Sequence, residues 1–264
     1  MNPQELRLAM RRGEFAGPTS GLAPGYTQAN LVILPEALAS DFQMFCEANS
    51  KACPVLEVTP PGVPYTTVMA QSADLRTDLP RYRVYRYGQL EAETTDILPW
   101  WREDLVAFLI GCSFTFERAL LTEGLPVRHI TENRNVPMYI TSRQCVPQGL
   151  FHGPLVVSMR PIPKEQVQKA VEITARYPAV HGAPVHVGDP SELGIANLAK
   201  PDFGEAVTVY PGEMPVFWAC GVTPQAVAME AKPELMITHA PGHMFITDIK
   251  DEDLISVLSK KNFR

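Results

Sequence analysis

The sequence predicts an α/β protein, a layered α/β sandwich domain carrying a smaller inserted α+β domain. Three observations predict it. Short apolar runs such as "NLVILP", "CPVLEVT" and "PLVVSM" alternate with amphipathic stretches such as "EALASDFQMFCEANSKA" and "KEQVQKAVEITARY". That order lays helices on a largely parallel sheet. At 264 residues the chain can bury one large core or two modest ones. A β-β-α-β segment over 126–204, bounded by "EGLP" and "KPDFGE", reads as self-contained, which leaves 1–125 and 205–264 as a discontinuous main domain.

The elements follow in order. Residues 4–14 read as a short basic amphipathic helix, and "GPTSGLAPGY" as a Pro/Gly loop. "ANLVILP" is a buried strand ended by Pro35, and the helix after it spaces Leu38, Phe42, Phe45 and Cys46 along one face. "CPVLEVT" returns as a strand, and "YRVYRYGQLEAET" reads as two strands joined by a turn. Pro99 to Gly124 reads as one long helix. Leu105, Phe108, Leu109, Cys112, Phe116 and Leu120 form one apolar stripe, and Val106, Ile110, Phe114 and Leu121 a second. Strands around "VPMYIT" and "GPLVVSMRP" come next, then a helix, a strand in "APVHVGD" and another in "EAVTVY". "VFWACGVTPQ" runs a strand into a helix, with Thr223 as N-cap and Pro224 in the first turn. "ELMITH" and "MFITDI" close the chain, and no internal repeat is evident.

Composition excludes several classes. A formal charge of −6 offers no basic face for nucleic acid, and no apolar run is long enough to span a bilayer. "MNPQELRLAMRRGEF" lacks an apolar signal core, and five cysteines form no C-x-x-C pair. Reduced thiols in a cytoplasm are therefore expected. G-x-G-x-x-G, the P-loop, H-E-x-x-H and G-x-S-x-G are all missing, so no cofactor is expected.

The candidates for chemistry begin with Glu117. A helix apolar on most sides is buried, so this acid either pairs with a buried arginine or takes up a proton and serves as a general acid. Ser113 lies one turn before it, and Cys112 on the apolar stripe reads as core more than catalyst. "HITENRNVPMYIT" places Glu132, Arg134 and Asn135 directly before a strand, where an arginine beside an asparagine makes a carboxylate clamp. Arg160 reads as a second arginine at a strand terminus. His239 and His243 flank Ala240-Pro241-Gly242, which breaks any helix, so the pair sits on a loop. Gly242 would admit a ligand close to the backbone, and Asp248 could orient a histidine. A divalent metal has only that histidine spacing in its favour. His152 and His186 occupy similar strand edges. Cys220 and Gly221 precede a helix N-terminus, where a thiol pKa falls if the group is exposed and anions bind.

"GCSFTFERAL", "ENRNVPMYIT", "GPLVVSMRP", "HVGDP", "FWACGVTPQ" and "THAPGHMFITDI" together resemble the D-glutamate cyclase family of hydro-lyases, over nearly the whole chain. The resemblance implies a two-domain α/β fold and a lyase that removes water, closing D-glutamate to 5-oxo-D-proline. Lactam formation needs a carboxylate clamp, a base and an acid. From residue chemistry, Arg134, Asn135 and Arg160 are expected to hold carboxylates. His239 or His243 is the base, Glu117 a protonated acid, and Cys220 a nucleophile or a pocket wall. Ser113, His152, Gly221, Gly242 and Asp248 complete the candidate set. The expected partner is a small carboxylate, and a homo-oligomer is expected. A non-catalytic carboxylate-binding module and a different lyase or deaminase are the alternatives.

Overall fold

The computed structural model describes residues 1–261. Asn2 caps α1 (Pro3–Arg11): its side chain accepts from Glu5 N while the Glu5 carboxylate accepts from Asn2 N. Two helix-end donors are satisfied reciprocally. β1 (Tyr26–Pro35) ends at Pro35, where α2 (Glu36–Ala48) begins. β2 (Val55–Val58) precedes the hairpin of β3 (Tyr82–Arg86) and β4 (Gln89–Thr94). Its turn residues Tyr87 and Gly88 have φ of 49° and 78°, which matches the twist of a tight antiparallel pair.

The long helix expected over 99–124 is instead a strand and a helix, β5 (Leu105–Gly111) and α3 (Phe114–Thr122). Every residue of β5 is buried. A strand covered on both faces is continuously apolar and carries no alternation to distinguish it from a buried helix. The chain continues through α4 (Arg128–Thr131), β6 (Met138–Gln144), β7 (Pro154–Pro163), α5 (Val167–Ala175) and the short β8 (His186–Val187). "EAVTVY" forms no strand. β9 (Glu213–Ala219), α6 (Thr223–Ala231), β10 (Met236–His239), β11 (Phe245–Lys250) and α7 (Leu254–Lys261) complete the order.

The class is α/β, but both sheets are antiparallel throughout. One runs β2-β5-β1-β10-β3-β4, with β11 also on β1, and the other runs β6-β7-β9-β8. The reason is a split crossover. β1 and β2, joined through α2, do run the same way, but β5 inserts between them and opposes both. β7 and β8, joined through α5, are separated by β9 in the same manner. A repeat that was not evident in the sequence thus exists in the fold. β2-β5-β1 matches β8-β9-β7. β6, which follows α3, crosses to β7, whereas β11 crosses back to β1.

The segment 126–204 does not close on its own, because its sheet requires β9, which ends at Ala219. The two sheets also share one core. Ala29, Leu31 and Ile33 of β1 and Leu109 of β5 cluster with Phe116 and Leu120 of α3, Ile173 of α5, Ile162 of β7 and Trp218 of β9. The opposite face of β1, Val32 and Leu34, packs on Phe42 and Phe45 of α2. Among the described residues no helix is long and apolar enough to cross a membrane.

Candidate active site

Two adjoining groups of polar residues carry the candidate chemistry. The inner one is a buried charge cluster. Side chains alternate along β7, so Val157 and Met159 enter one apolar cluster while Ser158, Arg160 and Ile162 face the core shared with α3. Arg160 is therefore mid-strand and 0% exposed, not at a strand terminus as the sequence suggested. Its Nε donates to Glu117 Oε1 (3.0 Å), Nη1 to Ser158 Oγ (3.1 Å) and Nη2 to Ser113 Oγ (3.0 Å) and Glu117. The Phe116 and Trp218 rings flank it at 5.3 and 5.4 Å. All three nitrogens of the fork are thus engaged within the protein. His129 Nε2 lies 3.1 Å from the same Glu117 oxygen, and Ser20 Oγ donates to the other at 3.2 Å.

Burial pushes the Glu117 carboxyl up, but His129 and Arg160 outweigh it and hold it down to about 2. Glu117 is an ion-pair carboxylate, so the protonated acid expected from its burial is corrected: the partner that sequence spacing could not locate sits one sheet away. Ser20 Oγ also touches His129, at 3.1 Å and again through Nε2. A nucleophile triad needs serine and carboxylate on opposite ring nitrogens, so this cluster does not activate Ser20.

The outer group lines a cavity of about 450 Å³ bounded by Pro18, Arg83, Asn135, Gly204, Pro241 and His243, among others. One carbonyl organises it. Pro241 O accepts from Asn135 Nδ2 and from His243 Nδ1, each at 2.9 Å. A carbonyl only accepts, so Nδ1 carries the imidazole hydrogen and Nε2 keeps the lone pair. Burial pushes the His243 pKa below its ordinary value. Gly242 has φ of 82°, and a Cβ there would collide with the Asn135 amide. Thr19 N donates to Gly242 O (2.9 Å) and Thr19 Oγ1 accepts from Met244 N (3.0 Å), which fixes the turn. Pro18 faces the cavity and Ser20 the charge cluster, so three residues of one loop separate the two groups. Arg83 gives its Nε to Glu93 (2.8 Å), which also accepts from Arg81 (3.1 Å), leaving that trio with a net positive charge.

Other expected residues lie elsewhere. Arg134 is exposed and does not line the cavity; it is bonded to Ala206 O, with Glu132 at 3.8 Å. His239 is buried beneath the loop, where burial pushes its pKa down to about 3 and Leu31 N donates to Nδ1 at 3.2 Å. Cys220 is buried in an apolar cluster with Cys112, Met138 and Met244. Burial pushes its pKa up to about 11, a larger effect than the Val222 N–H that lowers it, so the activated thiol expected at this helix start is corrected. Thr223 does not cap α6 either: its Oγ1 donates to Cys220 O (2.7 Å) and accepts from Val156 N (3.1 Å). A Cβ at Gly221 would strike the Asn30 amide, so this glycine makes room for a side chain of β1 and not for a ligand. His152 is exposed and makes no hydrogen bond among the described residues. Asp248 pairs with Arg7 at 2.8 Å and orients no histidine. A second cavity of about 430 Å³, at Gly25, Arg118 and Asp251, gathers none of the expected residues. Among the described residues no three His, Cys, Asp or Glu side chains converge as metal ligands.

His129, Ser20, Ser158 and Arg83 were missed by sequence reasoning. The demand of a buried Glu117 for partners pointed toward the first three without naming an address, and nothing pointed toward Arg83, which pairs with Glu93.

A family model described as D-glutamate cyclase matches residues 106–248, which hold most of β5 through most of β11, the inner cluster apart from Ser20, and Asn135, Pro241 and His243 of the outer group but not Arg83. Proteins named "Putative hydro-lyase" are similar over almost their full length. That of Bacillus licheniformis is 62% identical over 252 residues, 96% of each chain. That of Bacillus subtilis is 58% identical over 254 residues, 96% of this chain and 99% of the relative. The chain belongs to the D-glutamate cyclase family. Family membership makes this protein a hydro-lyase, an enzyme that breaks a carbon–oxygen bond with release of water. A nitrogen repressor-like protein of Methanococcus jannaschii aligns over 88% of this chain and 90% of its own, with a TM-score of 0.39 and 10% identity.

Proposed function

We propose that this member of the family closes D-glutamate to 5-oxo-D-proline and water, in the cavity walled by Asn135, Arg83 and His243. The observation that carries the reading is the Pro241 carbonyl. By holding His243 Nδ1–H and the Asn135 amide together, it leaves His243 Nε2 as a neutral base beside the cavity. An amino-acid ammonium must lose a proton before its nitrogen can attack a carboxyl carbon, and a histidine with a lowered pKa is unprotonated at neutral pH. Nitrogen then bonds to the distal carboxyl carbon and one carboxyl oxygen leaves. The two protons lost by the ammonium are the two that oxygen needs to depart as water, so a single base that accepts and returns a proton closes the balance. Arg83 is the guanidinium in the cavity lining that can take the α-carboxylate, opposed there by Asp202 and Glu205. The ionised Glu117 holds the inner wall through Arg160 and Ser20 and transfers no proton.

The test is to incubate the protein with D-glutamate and with L-glutamate, following loss of primary amine and the chirality of any 5-oxoproline. Turnover of the D-enantiomer, reduced about 10²-fold or more in His243→Ala, is the expected result. A His243→Ala variant with unchanged turnover would remove the base, and no turnover of either enantiomer would remove the substrate.

A further inference from the structure

The repeat in the fold extends to individual residues. Position by position, β1 matches β7 from Pro35 and Pro163 backward, since these residues pair with Leu105 and Glu213 at the starts of β5 and β9. The other ends agree: Ala29 pairs with Gly111, and Val157 with Ala219. Hydrogen bonds repeat as well. Thr115 Oγ1 accepts from Gln28 N (3.2 Å), and Thr223 Oγ1 accepts from Val156 N (3.1 Å). The exchanged strands carry "MYIT" and "MFIT". Thr141 Oγ1 donates to Leu155 O and Thr247 Oγ1 to Thr27 O, both at 2.7 Å. In this frame Cys112 matches Cys220, Thr115 matches Thr223, and Glu117 matches Gln225.

The matched positions have diverged in charge. Glu117 reaches across to Arg160, whose counterpart on β1 is the apolar Val32. Gln225, fully buried, instead donates Nε2 to His239 O (2.8 Å) and accepts from the Tyr85 hydroxyl at Oε1 (3.1 Å). His239 ends β10, and its carbonyl begins the turn that carries His243. The next links are Ala240 N to Arg81 O and His243 N to Ala240 O, both 2.9 Å. We infer that Gln225 is a positioning residue for His243, the neutral counterpart of Glu117, which holds the turn so that Pro241 O meets Nδ1. The inference rests on the reading of His243 as the base. A carboxylate at 225 would set an acceptor against the His239 carbonyl, so an uncharged donor is required there.

The experiment uses the full chain with ¹⁵N-labelled histidine. The His243 tautomer and titration midpoint are read by NMR without substrate, and kcat and KM are then measured with D-glutamate. Charged and titratable groups facing His243 are Arg81, directly before β3, Arg83 of β3, Glu93 of β4 and His239 of β10, with Asp202 and Glu205 on the same cavity wall, and all stay unchanged. Gln225→Leu is expected to lose the fixed Nδ1–H tautomer, move the midpoint toward that of a free histidine, and lower kcat at least tenfold with a smaller change in KM. Gln225→Glu is nearly isosteric and keeps the fold testable should the leucine variant fail to fold. Its protonated form can again donate to His239 O, so lowering the pH to a value still above the His243 midpoint is expected to restore the tautomer in this variant and not in Gln225→Leu. A His243 tautomer and midpoint unchanged in folded Gln225→Leu, or in Gln225→Glu at a pH where the new carboxyl is ionised, would overturn the inference. The NMR reading decides this even if D-glutamate is not the substrate.

Discussion

Replacing Glu117 by glutamine tests the physical core of the site. The carboxylate takes Arg160 and His129 on one oxygen and Ser20 on the other, with 2% exposure. The amide keeps the shape but leaves the fully buried Arg160 guanidinium without a counter-charge. Breaking a buried pair from one side costs about 3–5 kcal/mol. The depressed carboxyl pKa points to a similar figure. A carboxyl held down from 4.5 to about 2 corresponds to about 3 kcal/mol, at ~1.4 kcal/mol per pH unit. The sign follows from a depressed folded pKa: this contribution is complete above pH 4.5 and disappears as pH falls toward 2. The assay is urea unfolding of both proteins from pH 7 down to pH 2. Wild type should exceed Glu117→Gln by about 3 kcal/mol at neutral pH, with the gap closing through that acid window. In a chain of this size that is about 10 °C in Tm. Well below the transition, turnover per folded molecule should remain within a few-fold of wild type. A variant of wild-type stability would refute the ion-pair reasoning. A folded variant that had lost about 10²-fold in turnover would make Glu117 the proton donor after all.

Three further outcomes are expected. His239 is held neutral by burial, down to about 3 from 6.5, so it removes stability as pH falls from 6.5 toward 3; His239→Gln should flatten that part of the urea–pH profile. Gly242→Ala should cost about 1 kcal/mol or more, because φ is 82° and the new Cβ meets the Asn135 amide; steady-state kinetics should show turnover falling with it, and an unchanged kcat would place the Asn135–Pro241 contact outside the reaction. Cys220→Ala should leave kcat and KM near wild type, since the thiol is buried with a raised pKa; loss of turnover, or an acyl-enzyme trapped by mass spectrometry in wild type, would reinstate the nucleophile.

Much of the scaffold was legible in the residues themselves. Pro35 ends a strand, Tyr87-Gly88 turns a hairpin, and Pro241-Gly242 forces a loop between the two histidines, because each of these is a local backbone constraint. The burial of Glu117 was legible too, since Phe116 and Leu120 on its helix need cover. Partners across space were not. Nothing local tells "LVAFLIG" that it will lie between β1 and β2, as a strand buried on both faces has no period of two and strand order is set by long-range pairing. The sequence offered Arg160 and Arg134 as carboxylate holders, Cys220 as a nucleophile or a pocket wall, and Asp248 as a group that could orient a histidine. Only the packing of two antiparallel sheets on one core enclosed Arg160, exposed Arg134, sealed Cys220 in apolar surroundings and turned Asp248 toward Arg7. The repeat was present as "MYIT" and "MFIT", but four residues carry little statistical weight until the exchanged strands show the same hydrogen bonds. Chain chemistry alone determined which groups were available to act. Tertiary structure decided which of them meet, because a charge in the interior is defined by the neighbours that remain when water is removed.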